Sequence, residues 1–191
     1  LYQQNSLRNA MGAGSSVNIM NQHCDRVKMA NIAQTVNVLQ AMILTDKEKM
    51  ILTPTYHVFD MYKVHQDATL LPSDLECEDY SFDGQDLPGL NVSASKDKSG
   101  KIHVSICNLN PNEDARLACE IHGAKTGKIK GRILTAEKIT SQNTFKKPMV
   151  YTLSFLASAL DLPITIDISS NKDPVDAINI PHIYLSSGIT N

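Results

Sequence analysis

The stretch that decides the fold runs from Met29 to Gln40 and reads MANIAQTVNVLQ. It is apolar enough to belong to a core, yet it contains several amide side chains, which are costly to bury without hydrogen-bond partners. A strand in a hydrophobic core does not need these amides, whereas a site that binds a hydroxylated ligand does. We therefore expect the stretch to line such a site. The amides are Asn31, Gln34, Asn37 and Gln40.

The residues that lead into this stretch are predicted to form a helix and a buried strand. A helix is expected over residues 2–23, because apolar side chains recur there at steps of three and four. Residues 26–34 show little polar alternation after Lys28, which is typical of a strand covered on both faces in a parallel sheet. The apolar stripe of the helix consists of Leu7, Ala10, Met11, Gly14, Val17 and Met20.

A hairpin and a second helix are expected next. The charged turn at residues 46–49 lies between two apolar runs, which predicts a hairpin. Thr53 and Pro54 are a favourable N-cap and first helical residue. The second helix is therefore predicted to begin here and to extend to about His65.

After Asp67 the pattern changes from a helical period to a period of two. Residues 90–94 alternate apolar and polar side chains, and residues 102–107 do the same after a tight turn at residues 97–100. Several short strands with little helix indicate a β-sandwich. Further strands are predicted at residues 117–121, 128–135, 164–168 and 178–183.

Composition excludes several classes of partner. The chain has 191 residues, 42% hydrophobic and 20% charged, and a net charge of -2, which is ordinary for a globular protein and gives no reason to expect a polyanion as partner. No basic block and no apolar run long enough to cross a bilayer is present, so we expect neither nucleic acid nor a membrane as partner. Tryptophan is absent and aromatic content is 5%, which is low for a free-standing carbohydrate-binding module.

The sequence carries no pattern for a metal or a cofactor. The cysteines lack CxxC spacing and a partnering histidine cluster, which predicts buried free thiols. No zinc spacing, Ser-His-Asp order or glycine-rich phosphate loop is present. We therefore predict that the chain uses no metal and no cofactor. The cysteines are Cys24, Cys77, Cys107 and Cys119.

Five segments of the chain have an idiosyncratic character in common with one enzyme family. The longest is RVKMANIAQTVNVLQA within residues 23–41, and it follows LYQQNSLR at residues 1–8. Residues 56–65, GKIHVSICNLN at residues 100–110 and GRILTAEKITSQNTF at residues 131–145 complete the set. Over residues 1–148 the chain resembles the C-terminal part of family 51 glycoside hydrolases, the α-L-arabinofuranosidases, and beyond Pro148 the similarity weakens.

The resemblance implies the fold and the domains. In this family a (β/α)8 barrel carries the active site, and a jelly-roll β-sandwich is attached to it. We expect a mainly β fold, a jelly-roll-like β-sandwich preceded by a small α/β remnant of the end of the barrel. Residues 1–66 would hold the last helices and the final strand of the barrel, and residues 67–191 the sandwich. A partial barrel cannot close its sheet, so residues 1–66 should expose surface that a full enzyme buries.

The resemblance also implies where the chemistry lies. Family members are retaining glycosidases, in which two glutamates stand about 5 to 5.5 Å apart across the glycosidic bond. In the family both glutamates lie on barrel strands earlier than the part that this chain matches, and neither motif occurs here. We assign no catalytic residue, and expect the available carboxylates to be solvated charges. Examples are Asp25, Asp46, Glu48 and Asp60.

Gln34 is the one substrate-binding residue that the resemblance assigns. The matching glutamine in the family hydrogen-bonds the arabinofuranosyl ring at the subsite of cleavage, and it lies at the C-terminal end of the last barrel strand, where barrel enzymes place their sites. An amide can donate to one sugar oxygen and accept from another. For Asn31 and Asn37 we expect a structural role in holding the loop.

These expectations combine into a function with two alternatives. The chain would be the C-terminal segment of an enzyme that removes terminal non-reducing α-L-arabinofuranosyl residues from arabinan, arabinoxylan or their oligosaccharides. The chain opens at Leu1 without a leader, so we expect a fragment, and because both catalytic glutamates are absent we expect it to be inactive alone. The partner would be an arabinose-containing oligo- or polysaccharide. The full-length enzyme would be a homo-oligomer, intracellular or periplasmic in a bacterium. The alternatives are a non-catalytic carbohydrate-binding module and a structural or interface domain.

Overall fold

The fold is described from a computed structural model, which covers residues 5–33, 35–115, 117–123, 128–147, 150–158, 164–166 and 179–187. Helix α1 spans Leu7–Gln22, and helix α2 spans Pro54–Tyr62 and continues as a short 3-10 helix, Lys63–His65. The strands are β1 (Ile43–Asp46), β2 (Lys49–Leu52), β3 (Thr69–Leu71), β4 (Asp79–Phe82), β5 (Gln85–Pro88), β6 (Leu90–Lys96), β7 (Ile102–Asn108), β8 (Leu117–Cys119), β9 (Lys128–Ala136), β10 (Tyr151–Ser158), β11 (Ile164–Ile166) and β12 (Asn179–Ser187).

One antiparallel sheet of six strands, in the order β3-β6-β7-β12-β9-β10, forms the centre of the fold. The β6–β7 hairpin is confirmed, and its turn is closed by Asp97, whose carboxylate accepts hydrogen bonds from the backbone N–H of Ser99 (2.8 Å) and of Lys101 (3.0 Å). Gly100 has φ +87, a left-handed conformation that glycine adopts without strain. Strand β12, late in the chain, lies between β7 and β9.

The two faces of the sheet are covered by different elements. The apolar side chains of β6 and β7 share one face and pack with Leu117 of β8 and Ile129 of β9. The opposite face is covered by the two helices, which bury a second apolar cluster with β9. This second cluster consists of Leu7, Ala10, Val58, Met61, Tyr62, Leu134, Ala136 and Val150.

Both helices begin where their free N–H groups find acceptors, as helix N-termini require. The backbone N–H groups of Leu7 and Arg8 donate to the carbonyls of Ser141 (2.9 Å) and Ile139 (2.8 Å), so the loop after β9 caps α1. Thr53 caps α2, and its hydroxyl accepts from the N–H of Tyr56 (3.4 Å). The predicted start of the second helix is confirmed.

The predicted strand at residues 26–34 is wrong. Helix α1 ends at Gln22, a turn covers residues 23–26, and residues 27–33 are irregular and exposed or half-buried. Met29, expected in a buried strand, is 74% exposed. A strand must pair its backbone N–H and C=O groups with a neighbour, and no strand runs beside residues 27–33 within the described ranges.

The other predicted elements agree with the structure, whereas strands β3, β4, β5 and β10 were not predicted. Helix α1 fits the predicted helix over its described part, and β1 and β2 form the predicted hairpin, with Lys47 in the turn at φ +55. The strands predicted after Asp67 appear as β6 to β9, β11 and β12. The mainly β fold is therefore confirmed, although an irregular segment replaces its first predicted strand.

Candidate functional site

Gln34, the predicted substrate-binding residue, lies outside the described residues. The site is therefore described from the residues on either side of it. The following residues, 35–45, are held in a defined loop. The N–H of Ile43 donates to the carbonyl of Thr35 (3.0 Å), and the N–H of Asn37 donates to the carbonyl of Ile43 (3.1 Å). These two bonds form a parallel bridge between Val36 and Ile43. The backbone directly after Gln34 is thus fastened to strand β1.

Asn37 holds this loop through its side chain. Its backbone has φ +55, which asparagine tolerates better than most residues. The side-chain amide donates to the hydroxyl of Thr45 (2.7 Å), and its oxygen accepts from the N–H of Thr45 (2.8 Å). The loop-holding role predicted for Asn37 is confirmed, whereas the same role for Asn31, an exposed residue, stays a prediction.

The far end of the segment is fastened to both helices. Ala41 is fully buried, and its carbonyl accepts from the side-chain amide of Asn5 (3.0 Å) and from the hydroxyl of Thr53 (2.8 Å). Thr53 also donates its backbone N–H to the carbonyl of Met42 (3.0 Å). The anchoring roles of Asn5 and Ala41 were not recognised in the sequence, because a single asparagine before a helix has no distinctive pattern.

Large apolar side chains are exposed on both sides of Gln34 in the sequence. Met29, Val36 and Leu39 are 74%, 45% and 43% exposed. Burial of a large apolar side chain is favourable by about 1.5 to 3 kcal/mol. This surface therefore favours contact with another apolar protein surface. Residues 1–66 thus expose large apolar side chains, and that a full enzyme buries this surface stays a prediction.

The four carboxylates considered in the sequence lie in environments that do not suit a catalytic acid. Asp25, Asp46 and Glu48 are exposed. Asp60 accepts hydrogen bonds from Lys63 (2.6 Å) and Arg132 (2.8 Å), and these bonds lower the pKa of the Asp60 carboxyl. A general acid needs the opposite shift, because it must keep its proton near neutral pH.

The cysteines and the ligand-type side chains give no metal site. No group of three or more His, Cys, Asp and Glu side chains that could hold a metal occurs within the described residues. All four cysteines are free, as predicted, but only Cys107 is buried, and Cys24 is exposed. Burial raises the pKa of the Cys107 thiol to about 12, so it stays protonated. In the described ranges no helix is both long enough and apolar enough to cross a membrane.

A buried polar network between α1 and the sheet was missed in the sequence. Asn18 is 0% exposed, and its amide oxygen accepts from the hydroxyls of Tyr62 (2.8 Å) and Ser93 (2.8 Å). Its amide nitrogen donates to the carbonyl of Asn91 (3.1 Å) and lies 3.6 Å from the Cys107 sulfur. The network is closed to water, so it joins the helices to the sheet and is not a ligand site.

Comparison with known proteins assigns this fold to one family. Residues 1–162 match the family described as Alpha-L-arabinofuranosidase C-terminal domain. The chain is 51% identical over 151 residues to the "Intracellular exo-alpha-L-arabinofuranosidase" of Bacteroides ovatus. That match covers 78% of this chain and 29% of the relative.

Solved structures show the same fold. The GH51 arabinofuranosidase from Xanthomonas axonopodis pv. citri superposes with a TM-score of 0.85 at 39% identity, over 98% of this chain and 37% of that one. The alpha-L-arabinofuranosidase from Thermotoga maritima, solved as an arabinose complex, has a TM-score of 0.80 at 21% identity over 98% of this chain and 39% of its own, and supports the fold alone. The helices, the six-stranded sheet and the family match lead to one assignment: the chain belongs to the alpha-L-arabinofuranosidase C-terminal domain family.

Proposed function

We propose that this chain is the C-terminal portion of an α-L-arabinofuranosidase that removes terminal non-reducing α-L-arabinofuranosyl residues from arabinan- or arabinoxylan-type glycans. The observation that carries the proposal is the family match over residues 1–162. The Bacteroides ovatus relative is named an exo-acting enzyme, which supports cleavage at chain ends. It is also named intracellular, which favours an intracellular over a periplasmic compartment for this protein.

The catalytic carboxylates are proposed to lie outside this chain. A retaining glycosidase needs two carboxyl groups about 5 to 5.5 Å apart, one as acid/base and one as nucleophile. Asp60 is held in two ion pairs, and the other carboxylates considered are exposed. The chain covers 29% of the Bacteroides ovatus relative, which leaves ample length elsewhere in a protein of that size for the catalytic pair.

The isolated 191-residue chain is therefore expected to be inactive. Purified chain incubated with p-nitrophenyl α-L-arabinofuranoside should release p-nitrophenol no faster than buffer, because both catalytic carboxylates are proposed to lie outside it. Turnover that disappears when a local carboxylate such as Asp60 is changed to Asn would contradict this part of the proposal.

Gln34 is proposed to contact the arabinofuranosyl ring. Support comes from its surroundings: the loop that follows it is fastened by Asn37 and Thr45, and the end of that loop by Ala41. A fixed backbone on the downstream side lowers the entropy cost of presenting an amide to a sugar. The exposed Met29, Val36 and Leu39 are proposed to pack against the remainder of a barrel.

A chimera tests the role of Gln34. This chain would replace the matching C-terminal stretch of the Bacteroides ovatus enzyme, which is 51% identical over 151 residues. Gln34→Ala in the chimera is expected to lower kcat/KM for the arabinofuranoside by about tenfold, because a hydrogen bond between uncharged groups contributes about 0.5–1.5 kcal/mol. Asn31→Ala is the matched control and should change kcat/KM less than twofold. Equal effects of the two substitutions would contradict the assignment.

The proposed domain division places residues 1–66 with the barrel and residues 67–191 in the sandwich, and the full-length enzyme is proposed to be a homo-oligomer.

The rival function is a carbohydrate-binding module, which needs stacked aromatic rings on an open face. Calorimetric titration of the isolated chain with arabino-oligosaccharides separates the two. Our proposal expects no heat of binding, and saturable binding would favour the module.

A further inference from the structure

His65 stands at a junction between the second helix and the sheet. It is the last residue of the 3-10 helix that follows α2, and its ring reaches between β6 and β7. One ring nitrogen, Nδ1, lies 2.7 Å from the hydroxyl of Ser95 on β6, and Nε2 lies 2.6 Å from the hydroxyl of Ser105 on β7. Both serines are buried. One imidazole therefore bridges two neighbouring strands to the end of a helix.

The two serine hydroxyls suit the neutral form of the His65 ring. Neutral imidazole has one N–H donor and one acceptor nitrogen, and a serine hydroxyl can serve either of them. A protonated ring has two donors and no acceptor, so both Ser95 and Ser105 would have to accept, and each hydroxyl hydrogen would have to find another acceptor. The added charge would also have to be carried in a partly buried position, which is costly.

The titratable groups that face His65 add to this cost. The ring of Tyr62 from α2 has its centroid 5.7 Å away, and the ring of His103 from β7 has its centroid 6.5 Å away. The Nε2 atom of His103 lies 2.8 Å from the carboxylate of Asp97 in the β6–β7 turn. Burial, with a smaller contribution from His103, lowers the pKa of His65 to about 4.

The charged residues on either side of His65 in the sequence each have an ion-pair partner. Lys63 is exposed and pairs with Asp60 at 2.6 Å. Asp67 is exposed and lies 3.7 Å from Lys98.

We infer that His65 is an acid-sensitive joint, which holds the end of α2 to the sheet when its ring is neutral and releases it when the ring is protonated. The released segment would be the 3-10 helix and the link to β3. This joint acts on the fold and is independent of the proposed enzymatic function.

The direction of the pH effect follows from linkage. The pKa of His65 is about 4 in the folded chain, below the ordinary 6.5 of an unfolded histidine. The unfolded state therefore binds more protons between these values, and stability is fully present above pH 6.5 and lost as the pH falls toward 4. Between pH 7 and pH 5 this one residue should raise the unfolding equilibrium constant by up to about 20-fold.

Urea unfolding at pH 7 and pH 5 tests the joint in the 191-residue chain, in His65→Asn and in His122→Asn. His122 is an exposed histidine, so its variant is the matched control. The unaltered chain and the control should show the same change in the unfolding equilibrium constant between the two pH values, and the change in His65→Asn should be smaller by up to about 20-fold. The same pH dependence in all three proteins would overturn the inference.

A second measurement does not depend on the folding of a variant. The imidazole of His65 in the unaltered chain can be titrated by NMR, and it should titrate below pH 5. Between pH 7 and pH 5, the protection factors against amide exchange should fall at residues 63–68 more than within β7. Titration near pH 6.5, or an equal fall in both segments, would overturn the inference.

Discussion

Replacing Leu134 by alanine is expected to lower the free energy of unfolding of this chain by about 3 to 5 kcal/mol. Leu134 is 0% exposed, lies in β9 and packs in the cluster that joins both helices to the sheet. A leucine-to-alanine change in a packed core loses transfer free energy and leaves a cavity, with a usual cost of about 2 to 5 kcal/mol. We place Leu134 in the upper part of that range because three elements meet at it.

Leu87→Ala is the matched control for this measurement. Leu87 lies in the β5 hairpin strand and is 53% exposed, so the same chemical change should cost less than about 1 kcal/mol. Urea unfolding followed by circular dichroism measures both variants. Similar losses for Leu134→Ala and Leu87→Ala would show that the helices and the sheet do not share a packed core.

The second large effect is expected for Asn18→Ala, at about 2 to 4 kcal/mol. The change removes the acceptor of the hydroxyls of Tyr62 and Ser93 and the donor to the carbonyl of Asn91. Each buried polar group left without a partner costs about 1 to 3 kcal/mol, and some of these groups will find new partners. The loss of stability should appear as a lower urea concentration at the midpoint of unfolding, with little change in the dependence of the unfolding free energy on urea concentration.

Two further variants separate hydrogen bonding from volume. Asn18→Leu keeps the size of the side chain but not its polar atoms, so it should remain destabilised by more than about 1 kcal/mol. Asn21→Ala removes one hydrogen bond, to the Ser93 hydroxyl at 3.2 Å, and should cost about 1 kcal/mol or less. Full recovery of stability in Asn18→Leu would contradict the role given to the network.

The sequence predicted the β6–β7 hairpin well because alternation and turn chemistry are local. Residues 90–94 and 102–107 each carry a period of two, and Asp97 and Gly100 supply the turn. Alternation does not show which element packs against each face of the sheet. The polar face of these strands, which carries Ser93, His103 and Ser105, would ordinarily be assigned to solvent, yet α1 and α2 cover it and it is buried.

The strand prediction at residues 26–34 failed for a related reason. An apolar run without alternation predicts burial on both faces only if other elements cover it. In this chain the described part of the run is exposed or half-buried, and Met29 is 74% exposed. The apolar residues of a run reflect its surroundings in the whole protein, and the structure of a part does not include all of those surroundings. This chain covers 29% of its Bacteroides ovatus relative.

The structure of the amide-rich stretch at residues 29–40 was therefore predicted in part. Its amides do not share one role: Asn37 fastens the loop to Thr45, whereas Gln40 has φ +58 and marks a tight bend. Gln34 was assigned through resemblance to a family, because one glutamine in a sequence has no pattern that separates a sugar contact from a buried amide. The loop geometry on its downstream side supports that assignment.

Turnover of p-nitrophenyl α-L-arabinofuranoside by the chimera tests the central claim most directly, since it asks whether this chain can serve as the C-terminal portion of an arabinofuranosidase. The chimera carries the catalytic part of the Bacteroides ovatus enzyme joined to this chain. Our account predicts a kcat/KM within about tenfold of the Bacteroides ovatus enzyme, and no turnover by the isolated chain. A chimera that folds cooperatively, as judged by its thermal unfolding, yet releases no p-nitrophenol would contradict it.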